Sequence, residues 1–428
     1  MTTSLSPQRG TPDKAPRLGR YGMLPRLSGR GFIPLGLFAR LPLAMLTVGV
    51  LTLVTAVSHS YALGGFAAGA VGIGSAAGAP LVGHLADRLG QKHVLLVAAG
   101  ANALAVASVV ALTYLAGDFA RTAVVWVLIT AFLSGATSPQ VGPLARVRWM
   151  SLSARLPESQ RDITLDTALS YESTADELTF VLGPALVGIL ASLIAPWLPL
   201  AMAAVLTLSL VSLFAVHSTE AAVERHGKES ADSPAAGDVS WVRVALPVLG
   251  MVSMGTFFGA TQAALIAFTG SFGSIQLAGL LYSVVGLSSA AAALSVAFWP
   301  ARFSQPWRWL AVAALMAALS FLLLAPSSVP AMIGVLFVLG IPVGPTMVTI
   351  FSIGGMVAPK RRLGTVMTAL ASGIVAGTAI GSSIAGTLAQ SAGYGAAFLV
   401  SIAAAVALML FGALTVVLMK TASEPPVR

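Results

Sequence analysis

Long apolar runs separated by short polar ones set the pattern of this chain. Runs of spanning length cover residues 36–57, 63–85, 94–116, 122–144, 168–194, 198–216, 242–269, 275–298, 309–325, 329–350, 366–388 and 396–418. A helix needs about 20 apolar residues to cross the hydrocarbon core of a bilayer. In lipid, backbone polar groups must be satisfied within their own segment, so the twelve runs predict twelve transmembrane helices. No stretch shows the polar–apolar alternation of a membrane barrel. The expected fold is therefore all-α and integral to the membrane.

Composition strengthens this reading. The chain is 57% hydrophobic and 9% charged, where a soluble domain carries about 25% charged residues. Its 43 glycines suit close helix approach, notably Gly65, Gly69, Gly72, Gly74 and Gly78 in span two and Gly373, Gly377, Gly381 and Gly386 in span eleven. Cysteine is absent, which excludes disulfides and thiolate metal sites.

Basic residues give the orientation. Arg9, Lys14, Arg17, Arg20, Arg26 and Arg30 precede the first span. Further clusters (Arg88 and Lys92; Arg146, Arg148, Arg155 and Arg161; Arg225, Lys228 and Arg243; Arg302 and Arg308; Lys360 to Arg362; Lys420 and Arg428) follow even-numbered spans. Connections after odd-numbered spans hold only Arg121. By the positive-inside rule both termini are cytoplasmic. The net charge of +9 then faces the inner leaflet and requires no nucleic-acid partner.

Residues 1–31 read as a disordered basic tail, and no cleavable signal is visible before the first span. Residues 218–240 mix acids, bases, Ser-Pro and Ala-Ala-Gly, and read as a cytoplasmic linker. They divide a six-helix half over 32–217 from a second over 241–420, with a short tail at 421–428. A shift of 214 places Gly72-Ile-Gly-Ser-Ala-Ala-Gly-Ala on Gly286-Leu-Ser-Ser-Ala-Ala-Ala-Ala, and Arg88 on Arg302. A duplicated transporter of this kind has its substrate site near mid-membrane between the halves.

The connection after span two reads Gly83-His-Leu-Ala-Asp87-Arg88-Leu-Gly90-Gln-Lys92. It resembles the signature between helices two and three of the major facilitator superfamily, Gly-x-Leu-Ala-Asp-Arg-x-Gly-Arg-Lys. Gly83 and Gly90 suit a tight helix-to-loop transition. Asp87 can pair with a base and with the positive end of another helix. The resemblance implies a latch that holds the cytoplasmic side closed; the bland reading is a solvated loop pair. The equivalent connection in the second half has Ala301 in place of the aspartate. Span four lacks the arginine that proton-coupled efflux members carry before Gly135.

Span five ends in Gly183-Pro184-x-x-x-Gly188, which resembles part of the antiporter motif of superfamily exporters. Proline bends a helix, so this kink serves either rocking or static packing. Glu172, Asp176 and Glu177 lie inside the same span. Glu172 and Asp176 share a face, and Glu177 points about 100° further round. With the entry at Ala168, the first two sit roughly 6 and 12 Å along the axis. Buried carboxylates are costly unless paired or wetted. These three are candidates for proton coupling or for binding a cation; the alternative is structural pairing with Arg40, Arg146 or Arg148. Arg40, near the cytoplasmic end of span one, is expected to snorkel to headgroups, with an ion pair as its second reading.

Met254, Phe258 and Gln262, with Tyr282 and Trp126, are candidates for a substrate cavity. The histidines fall at span ends or in loops. No Gly-rich phosphate loop follows a strand, so the energy source is an ion or solute gradient. Neither a metal nor a cofactor is expected, and no clustered acid, base or nucleophile indicates an enzyme. The scarcity of midplane polar groups (Asn102 is the sole asparagine) favours proton-coupled export of amphiphilic or cationic compounds. The alternatives are a proton-coupled importer or facilitator of a sugar or organic acid, and a non-transporting receptor. The family style points to a monomer in a bacterial plasma membrane, working on small molecules and protons.

Overall fold

The computed structural model describes residues 19–29, 31–117, 119–223, 241–272, 277–300, 302–359 and 362–421. It is an all-helical, multi-pass membrane protein. The spans are α1 (Phe32–Ser58), α2 (Leu63–Leu89), α3 (Gln91–Leu115), α4 (Arg121–Ser153), α5 (Glu158–Ala191), α6 (Leu198–Val216), α7 (Val242–Gly270), α8 (Leu277–Phe298), α9 (Gln305–Leu324) and α10 (Val329–Val357). The stretch Leu363–Met419 is two helices, because Gly393 at φ 82° breaks it. They are α11 (363–392) and α12 (394–419), which completes twelve.

Large apolar side chains on the rim face lipid: Val97, Leu104 and Leu287 are each exposed by 70% or more. Inside each half, small residues let backbones touch. A side chain at Gly78 of α2 would collide with the Ala136 backbone of α4, and one at Gly377 of α11 with the Val252 carbonyl of α7. Without a hydrophobic driving force between helices in lipid, such contacts supply packing energy. The halves meet through α2 against α11 and through α5 against α8 and α10.

Two spans are discontinuous. The first is helical over Phe32–Phe38 and again over Leu41–Ser58, so Arg40 sits in the gap. The fourth is helical over Arg121–Ala136 and Val141–Ser153, with Ser138-Pro139-Gln140 between.

At three boundaries the helix runs on past the hydropathy run and takes in charges. A hydropathy run ends at its first charges, but these charges are buried. Span four continues past 144 to Ser153 and carries Arg146 and Arg148 inside, 1% and 0% exposed. Span nine begins at Gln305, which buries Arg308. Span five begins ten residues early, at Glu158, and so takes in Asp166. These arginines are therefore not loop charges, although Arg88, Arg155, Arg161, Arg243 and Arg302 remain exposed at the end of the bundle that holds the termini.

Residues 1–18 and 224–240 of the expected tail and linker lie outside the described residues. Residues 19–28 form helical turns rather than a disordered tail. They dock on α8 of the other half: Tyr21 Oη donates to Leu294 O at 2.6 Å, and Arg20 donates to Ala297 O. Burial pushes the Tyr21 phenol up to about 12.

Candidate functional site

A cavity of ≈ 150 Å³ lies between the halves, where both broken spans expose their gaps. Arg40, Gln140, Arg146 and Asp176 line it from one half, Phe351 and Ser372 from the other. The breaks follow from sequence. Pro139 and Pro143 have no N–H to give to a helix ladder, and Gly142 lets neighbouring groups approach the backbone. Irregular backbone at this depth is tolerated only against protein or a cavity.

A quartet of charges sits on the cavity wall. The four-residue spacing puts Glu172 and Asp176 on the face of α5 turned to α1 and α4. Arg40 pairs with Glu172, and its Nη1 lies 3.3 Å from Asp176 Oδ1. Arg146 Nη2 lies 2.6 Å from Asp176 Oδ2. Trp149 Nε1 donates to Glu172 Oε1 at 2.7 Å. Two cations thus face two carboxylates, and the cluster is neutral with all four ionised. Neutrality makes burial tolerable, since breaking such a pair leaves an uncompensated charge. Arg40 does not snorkel to headgroups: it is 4% exposed because the two carboxylates hold it inward.

The two acids are not equivalent. Glu172 is 1% exposed and sealed behind Arg40 and Trp149, whereas Asp176 is 17% exposed and lines the cavity. Arg146 also reaches the other half, with its guanidinium carbon 3.8 Å from the Phe351 ring centroid, a cation–π contact. Glu177 turns away from the quartet, half-buried, and accepts from Ser289 Oγ of α8 at 2.9 Å.

The halves are bonded from the termini end up to the level of Glu177. Asp87 accepts from Gly364 N, Thr365 N and Thr365 Oγ1 at 2.8, 2.8 and 2.7 Å. A carboxylate is thereby set on the positive start of α11. Gly83 lies inside α2 rather than at a helix-to-loop transition. Its role is contact: a side chain there would collide with Thr368 and the Gly364 carbonyl. Gly90, at φ 87°, makes the turn into α3. Arg88 is exposed and Lys92 half-buried.

A second cross-half bond joins α5 to α9. Asp166 Oδ2 is 2.7 Å from Arg308 Nη1, and Asp166 Oδ1 accepts from Gln305 at 3.0 Å. The sequence reading missed it because Asp166 and Arg308 both fell outside their spans. Ala301, the residue in the latch aspartate's place, lies outside the described residues.

Helix α5 continues through Pro184, and Gly183 packs on α1, where a side chain would stand 2.7 Å from Ala44 Cβ. Gly188 faces open space. The five expected cavity residues do not line this cavity. Met254 is fully buried in the core of the second half, with Phe258 and Tyr282 packed on it. Gln262 and Trp126 are exposed outside it. Gln140, Gly142 and Arg146 replace them, and the Pro139…Gly142-Pro143 interruption inside an apolar span was the signal that could have found them.

Comparison with known proteins fits this architecture. Residues 247–428 match the family model of the Major Facilitator Superfamily. Among curated proteins, none matches in sequence. Similar solved folds include a human organic anion transporter, MFSD10 (TETRAN), at 18% identity and TM-score 0.67, covering 90% of this chain and 99% of that one. A bacterial homologue of the iron transporter ferroportin, in an outward-facing state, is 13% identical with TM-score 0.69 over 90% and 98%. The Escherichia coli fucose:proton symporter is 16% identical with TM-score 0.59 over 90% and 98%.

Proposed function

We propose that this chain is a transporter of the Major Facilitator Superfamily and carries a small polar solute, coupled to protons, by alternating access of its halves around the Arg40–Glu172–Asp176–Arg146 quartet. One observation carries the proposal: a neutral set of four charges opens, through Asp176, onto a cavity shared by both halves. A site that gains and loses a proton needs a carboxylate reachable from the solute space. Asp176 meets that need and Glu172, sealed, does not. Glu172 is the structural anchor of Arg40.

The export reading rested on a scarcity of polar groups at mid-membrane. Arg40, Gln140 and Arg146 in the cavity wall remove that premise. A cationic amphiphile would meet two guanidinium groups, whereas a polar solute finds donors. Uptake of a small polar nutrient with protons is therefore the reading we adopt. The similar solved structures are described as an organic anion transporter, a homologue of an iron transporter and a fucose:proton symporter, so the solute class must come from this cavity. The basic end that holds the termini is assigned to the cytoplasm, and the composition to a bacterial plasma membrane. The described state, bonded by Asp87 and Asp166, is then closed toward the cytoplasm.

The test is proton movement in proteoliposomes carrying an internal pH dye. A panel of sugars, organic acids, amines and cationic dyes is added to the purified full chain with no imposed gradient. At least one uncharged polar or acidic solute should drive proton entry. Proton movement driven only by cationic dyes would overturn the proposal and restore efflux.

A further inference from the structure

We infer that the solute is a small organic anion that enters with a proton by taking Asp176's place on Arg40 and Arg146. This rests on the carrier reading above and names its substrate class. The first ground is unused donors. Arg40 Nε and Arg146 Nε have no acceptor among the described residues, though the two side chains are only 4% and 1% exposed. A guanidinium offers five N–H donors and no acceptor, in a fork that matches carboxylate geometry. A buried donor left without an acceptor is costly.

The second ground is where they point. A methyl group placed on Gly142 would stand 3.2 Å from Asp176 Oδ1, 3.5 Å from Arg146 Nη1 and 3.5 Å from Arg40 Nε. Three charged groups therefore converge on one spot that glycine leaves clear. Gly142 is the second residue of the thirteen-residue segment Val141–Ser153, whose start is the positive end of that helix.

Most of the cavity's remaining wall is apolar, with Val71, Phe180, Met347, Phe351 and Val375, and Thr47, Ser75, Gln140, Thr179 and Ser372 add neutral polar groups. Its ≈ 150 Å³ is about the volume of an engineered protein cavity that admits benzene. The solute is thus a carboxylate-type anion with a compact apolar body, near benzoate in size.

Charge balance supplies the coupling. With Asp176 ionised the quartet is neutral, and an added anion would leave one uncompensated negative charge in a low-dielectric site. A proton from water on Asp176 Oδ2 restores neutrality and frees Arg146 Nη2 and Arg40 Nη1 for the incoming oxygens. The groups facing Asp176 are Arg40 from α1, Arg146 from α4, and Glu172 and Tyr171 on its own helix, with Glu177 adjacent. Helices α10 and α11 add Met347, Phe351 and Ser372, none charged. One proton then accompanies one anion.

Calorimetric binding to the purified full chain tests this, with benzoate, acetate and inorganic phosphate as anions, and tetraethylammonium and glucose as controls. Benzoate should bind more tightly at acidic than at alkaline pH, by up to about tenfold per pH unit for one proton taken up with one anion. Asp176→Asn should bind it independently of pH. The double variant Arg146→Gln/Asp176→Asn keeps the quartet neutral, so its folding is preserved, and it should lose at least tenfold in affinity. No anion bound at any pH, equal affinity at acidic and alkaline pH in the wild type, or an unaffected double variant would each overturn the inference. Proton flux driven by glucose without anion binding would sink the substrate class and leave the carrier reading standing. Anion binding without proton flux for any solute would sink the carrier reading instead.

Discussion

Asp87 and Thr365, 278 positions apart, are joined by two hydrogen bonds, from Thr365 N at 2.8 Å and Thr365 Oγ1 at 2.7 Å to one carboxylate oxygen. The amide of Gly364 bonds the other oxygen. A single side chain of α2 therefore fastens the start of α11 to the opposite half. Asp166 and Arg308 fasten α5 to α9 at the same end.

Asp87→Ala removes three charge-assisted bonds, together worth about 2–4 kcal/mol. The population open at the termini end should rise about thirtyfold or more. The chain has no cysteine, so spin labels at Leu89→Cys and Arg302→Cys, both exposed, read the gap directly. A longer distance should gain weight in Asp87→Ala and gain more with Asp166→Asn added. An unchanged distance distribution in both would show that these bonds do not hold the halves.

Glu172→Gln strips the buried Arg40 guanidinium of one of its two carboxylate partners and should cost about 3 kcal/mol. Thermal unfolding in detergent should show a clear drop. Arg40→Met combined with Glu172→Leu should recover most of it, because a well-packed apolar pair replaces a buried ion pair at little cost. A single variant as stable as the double one would contradict the anchoring role.

Gly142→Ala places a methyl where Asp176, Arg146 and Arg40 converge. Affinity for the transported solute should fall about tenfold, equivalent to 1.4 kcal/mol. The unfolding midpoint should hold, since alanine favours helix. Lower stability with unchanged affinity would mean the space is packing rather than site.

His217 lies just beyond α6, where its Nδ1 accepts from Thr219 N at 3.3 Å. Burial and the nearby Arg148 hold its imidazole below the ordinary value of 6.5. The folded state therefore favours neutral imidazole. Its contribution to stability is full above the unfolded value and is lost as pH falls through the folded one. An NMR titration should find a midpoint under 6.5. A midpoint above it would mean that the ring gains an acidic partner instead.

The twelve spans were legible because lipid forces apolar runs and internal hydrogen bonding into one pattern. The Gly83–Lys92 connection was legible as a motif. The charged site was legible only in part. Glu172 and Asp176 stand out as acids in an apolar run, and Arg40 and Arg146 are among the partners the sequence offers them, but Arg308 is hidden, because a hydropathy run stops at the very charges that fold inward. Their burial depends on partners in other helices, which no local window contains. Arg40 was read toward headgroups for the same reason. The Pro139…Gly142-Pro143 interruption was in plain view and was the best pointer to the cavity. Met254, Phe258 and Gln262 have cavity-like chemistry, but α7 places Met254 and Phe258 at the core and Gln262 outside this cavity.

The most direct measurement separates exchange from net transport in Asp176→Asn proteoliposomes. Solute counterflow should persist near wild-type rate, because the neutral side chain mimics the protonated carrier, while accumulation driven by a proton gradient should vanish. Gradient-driven accumulation at the wild-type level would contradict Asp176 as the coupling group, and loss of counterflow together with accumulation would reduce it to a structural residue.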